Sequence, residues 1–316
     1  MKKAFEKLNL RDYGVLLGFL ALCIAISVAT PSFLGKQNIL NLLRQSSIIG
    51  IISAGMTFVI ISGNFDISVG AVAALAGAIT MKFATGGTNL FVAMLLGVAI
   101  CAVIGLINGI VVAKINVPSL IATMAMVTIV RGLLLMLTGG YPITENIPIL
   151  DYIGNGYLFN IPIPVVIFFI VVLASFIVLN KTKFGRYVYS VGGNQEASKL
   201  NGINVDSHKI KVFIINAVLA GIAGIVLTGR LGTATAIAGE GYDMDAIASV
   251  VIGGTSVAGG SGSVLKTVIG VLLMSVINNS FNLLGIDVYF QYIFKGLIIL
   301  AAVGFDSYSK KKLASR

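Results

Sequence analysis

Lys181-Thr182-Lys183-Phe184-Gly185-Arg186, then Gly192-Gly193-Asn194-Gln195-Glu196-Ala197-Ser198-Lys199-Leu200-Asn201-Gly202, then Lys209-Ile210-Lys211, form one polar interruption between two long apolar runs. The interruption holds six of the 22 basic residues. Each flanking run, 162–180 and 209–229, has about the roughly 20 helical residues that span a bilayer core of about 30 Å. A cationic segment between two such runs lies on the cytosolic side, where Lys and Arg are retained. That placement sets the side of every other segment.

Working outward, the chain is 57% apolar and only 11% charged, with mean hydropathy +0.99. A soluble domain is about a quarter charged, so this chain could not cover a water-facing surface and its solvent is membrane lipid. The net charge of +10 would point to nucleic acid in a soluble protein. Here the charge sits at Lys2, Lys3, Lys7 and Arg11, in the 181–211 loop, and at Lys310, Lys311, Lys312 and Arg316. That is the positive-inside pattern, and no nucleic-acid partner is expected.

Candidate spans are 13–30, 46–62, 68–85, 90–113, 119–138, 162–180, 209–229, 244–258, 262–284 and 288–305; the eighth is the weakest, being short and meeting Gly253-Gly254. The first is read as a retained span, because no small-residue cleavage pattern precedes Pro31. With the N-terminus inside, ten crossings put fifteen of the 22 basic residues in the cytosol, while the outer 139–161 connection has none. The expected fold is an all-α integral membrane protein of about ten transmembrane helices, some broken or short, with both termini cytosolic. One transmembrane domain fills 1–316, with a cytosolic coupling loop at about 181–208. Cys23 and Cys101 lie in apolar runs without metal-ligand spacing and read as small buried hydrophobes.

Glycine is frequent, at 37 residues. Small residues let helices approach closely in lipid, and Gly14-x3-Gly18, Gly50-x3-Ala54 and Gly105-x3-Gly109 form such faces. They serve internal packing or an interchain seam. Ser62-Gly63-Asn64-Phe65-Asp66-Ile67-Ser68-Val69-Gly70 and the glycine-rich 252–262 segment break apolar runs, which irregular backbone can do only inside protein or a wet cavity. Asp66 fits a wet cytosolic turn, a cap of the third span, or a place at the pathway. Arg131 and Lys295 fall within spans and need partners, carbonyls or a route to the interface. Candidates for a substrate pathway are Asn64, Asp66, Asn108, Thr123, Arg131, Thr255, Asn278, Asn279 and Gln291; the amides and hydroxyls among them suit an uncharged polyol and serve equally as interhelical bonds.

No catalytic constellation is present. His208 is the one histidine, among lysines at a cytosolic flank, and is read as solvated; a histidine-based metal site is not expected. A phosphate loop needs glycine before its lysine, and Leu265 stands there before Lys266. The chain is therefore read as a transport subunit, not an enzyme, with no cofactor of its own.

The stretch Gly-Gly-Asn-Gln-Glu196-Ala197-Ser198-x3-Gly202 resembles the Glu-Ala-Ala-x3-Gly loop of ABC-importer permeases in its sugar-permease form, with Ser198 in place of the usual Ala. Asn64-Phe-Asp66-Ile-Ser68-Val-Gly70 is similar to that family's Gly-Ile-Asp-Leu-Ser-Val-Gly segment, departing at Asn64 and Phe65. Gly105-x2-Asn108-Gly109, Arg131-Gly132, Gly241-Tyr242-x2-Asp245-Ala246, Gly253-Gly254-Thr255-Ser256 and Asn278-Asn279-x2-Asn282 follow in family order. The ribose-type permeases are the nearest in kind. The resemblance implies a homodimeric or pseudo-dimeric permease of a monosaccharide importer in the bacterial plasma (inner) membrane. It implies two partners: an ABC ATPase subunit that binds the ATP, and an extracytoplasmic sugar-binding protein. Asn194, Gln195, Glu196, Ala197, Ser198 and Gly202 would form a short helix docked on the ATPase, with small residues at 197 and 198 allowing close approach. Two readings stay open beside a ribose importer: an ion-coupled secondary sugar carrier, and the same importer class with another pentose, a hexose, an autoinducer sugar or a nucleoside as cargo.

Overall fold

The computed structural model describes residues 10–314, so Lys2, Lys3, Lys7 and Arg316 lie outside the described residues. The chain is almost wholly helical: α1 Leu10–Ala29, α2 Lys36–Ile61, α3 Val69–Thr85, α4 Leu90–Ala113, α5 Ser119–Thr138, α6 Pro148–Asn155, α7 Ile163–Lys181, α8 Lys183–Gly193, α9 Gln195–Leu200, α10 Val205–Leu231, α11 Tyr242–Ile252, α12 Val264–Leu283 and α13 Val288–Ala314. Among the described residues α2, α4, α5, α7, α10 and α12 are long and apolar enough to cross a membrane, and shorter apolar stretches are Val15–Ala29, Val69–Thr85 and Val288–Ala301.

Burial does not follow apolarity. The most apolar of these six helices, α4, is 28% buried over its most apolar 18 residues, whereas α2, the least apolar, is 94% buried over its own. In lipid the greasy face needs no cover, and helices associate through small residues and hydrogen bonds instead. Accordingly α2 carries Ser46, Ser47 and Thr57, whose hydroxyls donate to the carbonyls of Leu42, Leu43 and Ser53 one turn back. Thr57 also bonds Thr267 of α12 at 2.9 Å.

Helix α10 is the second axis. Gly224 lies on Ala73 and Gly77 on Thr228, so α3 and α10 run parallel. Gly105 lies on Phe213 and Ala217, and Gly109 on Ile210, so α4 runs antiparallel to α10. The Gly105-x3-Gly109 face is thus internal packing, as is Gly50, which abuts Phe168 of α7; Gly18 has no atom within 4 Å of its would-be Cβ. Cys101 is buried and Cys23 half-buried, both free.

The expected 244–258 helix is built differently. Helix α11 stops at Gly253-Gly254, Gly254 taking φ +90°. Its 11 residues reach about 16 Å, half the core thickness. Ahead of it the chain is irregular: it leaves α10 at Leu231, pairs Thr233–Ala234 with Ile143–Thr144, and runs on until Gly239 rests on Gly70 of α3. Arg131 of α5 donates to the Ala236 and Ala238 carbonyls, meeting hydrogen bonds that lipid could not.

At the end of the bundle opposite α9, α6 and the 157–162 hairpin cover α10 and α2. Arg44 of α2 donates to the Asn155 carbonyl at 3.3 Å and lies 4.9 Å from the Tyr157 ring centroid.

Candidate functional site

The 181–211 interruption folds as two short helices, α8 and α9, joined at Asn194 between α7 and α10. The Thr182 hydroxyl accepts from Gly185 N–H at 3.1 Å, starting α8. The Asn194 side chain accepts from Ala197 N–H at 2.9 Å, starting α9. Gly202, at φ +77°, ends it, with its N–H donating to the Lys199 carbonyl and Ile203 N–H to the Ser198 carbonyl. These are the two cap chemistries that the residue types call for.

The six predicted coupling residues do not share one face. Asn194, Gln195, Glu196, Ala197 and Gly202 are exposed, whereas Ser198 is buried, its hydroxyl 2.9 Å from that of Ser190 and 2.8 Å from the Asn194 carbonyl. Ala197 alone of the small pair is on the outer surface, and Ser198 ties α9 to α8. Lys209 is buried, donating to Gln195 at 2.9 Å. His208, expected at a solvated flank, is half-buried, stacked on Phe184 at 5.7 Å and edge-on to Tyr187 at 5.1 Å. Leu200, 89% exposed beside Glu196, is an apolar residue with no partner within the chain's own core. Sequence reading passed it over because one leucine in a polar loop carries no periodic signal.

A cavity of about 430 Å³, open on one side where Ile237, Glu240 and Tyr292 are exposed, lies between the start of α3 and the start of α11. It is lined by Arg131, Glu240, Asp243 and Tyr292 among apolar neighbours, and its size falls in the ~300–1,000 Å³ range of small-molecule sites. Behind its Asp243 edge, Asp245 Oδ2 accepts from Lys295 of α13 at 3.1 Å and from Asn278 of α12 at 3.4 Å, and Oδ1 lies 3.0 Å from the same Lys295 ammonium as an ion pair. Both aspartates sit in the first turn of α11, where the helix dipole favours negative charge.

Of the nine predicted pathway residues, Arg131 lines this cavity. Asp66 lies in no wet turn. It is buried, its carboxylate accepting from the Ser68 N–H at 2.9 Å, the Ser68 hydroxyl at 2.5 Å and Asn216 at 2.9 Å. Asn108 donates to Ser68 at 3.1 Å, and the Thr123 hydroxyl accepts from Ile67 N–H at 3.2 Å. Asn64 bonds within its own turn to Ser62. Thr255 is buried at the α11–α12 loop, Asn278 is with Asp245, Asn279 pairs with Asn38 at 2.8 and 3.0 Å, and Gln291 binds the α12–α13 turn through Asn282 and the Ile286 carbonyl. Glu240, Asp243, Asp245 and Tyr292 were missed. The available signal was Asp243-x-Asp245 following Gly239-x-Gly241 in an apolar setting, with an intramembrane lysine to match.

Residues 38–303 match the family model described as branched-chain amino acid transport system / permease component. The chain is 43% identical over 303 residues to the ribose import permease protein of Haemophilus influenzae, covering 93% of this chain and 94% of that one. It is 40% identical to the ribose import permease protein of Escherichia coli K12, covering 97% of each, and 42% to that of Bacillus subtilis, covering 94% and 93%. No solved structure matches the chain significantly.

Proposed function

The chain belongs to the branched-chain amino acid transport system / permease component family, and from that premise we propose that it is the membrane-spanning permease subunit of an ATP-driven importer for ribose. The observation that carries the reading is α9: a helix capped at both ends, tied to α8 through Ser198 and to α10 through Lys209, and presenting Glu196, Ala197 and Leu200 outward. Relatives 40–43% identical over nearly their whole length are ribose import permeases, which supports the cargo.

In this reading the chain is one plasma-membrane domain of ten crossings. The irregular 232–241 segment and α11 together form the eighth, and both termini are cytosolic. Two copies associate, an ABC ATPase subunit binds ATP and docks on α9, and an extracytoplasmic sugar-binding protein delivers cargo to the opposite face. The chain itself holds no cofactor. ATPase closure pulls on α9 and switches the pathway between outward and inward access. The cavity beside Arg131 and Asp243 supports a polar passage, since these side chains can hydrogen-bond the hydroxyls of a sugar.

The test is uptake into proteoliposomes holding permease and ATPase, with the binding protein supplied. Glu196→Lys reverses the charge of the docking surface, and Gly202→Asp forces a side chain into a φ of +77°. Both are expected to abolish uptake while the protein inserts at normal levels; ordinary ATP-coupled uptake in both would remove the coupling assignment. The Asp245–Lys295 pair, its carboxylate buried and its ammonium half-buried, favours a second reading, an ion-coupled carrier. Uptake by the permease alone, driven by an ion gradient, would establish it. Ligand titration of the partner binding protein decides between ribose and another pentose, a hexose, an autoinducer sugar or a nucleoside.

A further inference from the structure

Five glycines from three separate segments meet where α8 ends: Gly63 after α2, Gly192 and Gly193 of α8, and Gly259 and Gly260 of the α11–α12 loop. The contact is backbone on backbone. Gly260 N–H donates to the Ile61 carbonyl at 2.8 Å. A Cβ on Gly192 would strike that same carbonyl oxygen; one on Gly260 would come within 2.7 Å of Gly193 Cα, and one on Gly259 within 2.8 Å of the Gly192 oxygen. Gly63, Gly259 and Gly260 also take positive φ of +79°, +83° and +72°, which side chains rarely adopt. Beside the cluster the Tyr189 hydroxyl donates to the Gly262 carbonyl at 3.0 Å. Burial pushes that hydroxyl's pKa up, so it stays a donor at physiological pH.

We infer that this glycine junction, latched by Tyr189, is the link through which α9 drives α11; the inference rests on the reading of α9 as the ATPase-docking helix. On one side of the junction α9 cannot move without α8, because Asn194 alone separates them and Ser190 and Ser198 bond across the bend. On the other side the 253–263 loop runs straight into α11, whose opposite end supplies Asp243 and Met244 to the cavity. No flexible side chain lies between the touching backbones to absorb a displacement. A push on α9 therefore arrives at the cavity wall through one short helix. Tyr189, Gly192 and Gly260 are positioning residues: they touch no cargo, yet they set how much movement each ATP produces.

The experiment measures sugar imported per ATP hydrolysed in proteoliposomes containing permease, ATPase and binding protein. Tyr189→Phe removes the latch alone and is expected to raise ATP hydrolysed per sugar about fivefold, the factor matching one ordinary net hydrogen bond, with ATPase co-purification unchanged. Gly192→Ala wedges the backbones apart and is expected to abolish uptake while the ATPase still co-purifies and hydrolyses ATP. Gly304→Ala, where a Cβ meets nothing within 4 Å, leaves the ratio unaltered. An unchanged ratio in Tyr189→Phe overturns the inference, also where Gly192→Ala fails to insert, and leaves ATPase docking standing if Glu196→Lys still blocks uptake. Loss of ATPase co-purification in Gly192→Ala overturns it too, by assigning the glycines to the docking surface.

Discussion

Asp66 and Asp245 are both buried carboxylates at the beginnings of helices that start inside the bundle, and they are held in opposite ways. Asp66 has neutral partners: the Ser68 N–H and hydroxyl, and Asn216 from α10. Asp245 has a cation, Lys295 of α13, supported by Asn278 of α12. The first arrangement is a clamp that fixes the α2–α3 turn against α10. The second neutralises charge beside a cavity, joining three helices by a bond whose strength depends on what surrounds it. The difference separates a region built to stay from a region able to respond.

The sharpest way to break this contrast is to remove the cation. Lys295→Met leaves the buried Asp245 carboxylate with Asn278 and no cation, and is expected to destabilise the detergent-solubilised protein by about 3 kcal/mol, the low end for a buried pair because Lys295 is half-buried, read as a lowered midpoint of thermal unfolding. Asp245→Leu with Lys295→Met removes both charges, and most of the loss should return. A single variant that melts like the parent would show that the pair is not closed in the membrane. Next, Asp66→Ala orphans the Asn216 amide and the Ser68 donors and is expected to lower stability by about 1–3 kcal/mol; here a second substitution at Lys295 should add independently. The smallest effect belongs to a pair with no charge. A double-mutant cycle on Asn38→Ala and Asn279→Ala should return a coupling of about 0.6 kcal/mol, typical of polar contacts between membrane helices. A coupling as large as that of Asp245 with Lys295 would erase the distinction between neutral and ionic partners.

Much of this architecture is legible in one dimension. Charge depletion gives the membrane class, runs of about twenty apolar residues give most helices, and Asn194 and Gly202 mark both ends of α9 through local cap chemistry. Partnerships across the chain are not legible in that way. Asp66 meets Asn216 from 150 residues away and Asp245 meets Lys295 from 50 residues away; nothing local in either segment selects the partner. The 232–241 segment reads as mildly apolar, because what holds it inside is Arg131 from α5 and Gly70 from α3, not its own periodicity. Gly253-Gly254 did announce the end of α11, since consecutive glycines are poor helix formers. What the sequence does not announce is the irregular 232–241 segment that leads into α11.

The mismatch between apolarity and burial at α2 also bears on how the protein is made. Helix α2 emerges early from the ribosome, yet it is the least apolar of the six long spans and has the serines and threonines of the bundle's centre. Its closest polar complements arrive late: Asn216, packed on Gly55, follows about 160 residues on, and Thr267 about 210 residues after Thr57. Until α10 and α12 are made, the side of α2 that they cover has no cover. A chain ending before α10 leaves that side bare, so assembly hinges on the most central helix and on helices made long after it.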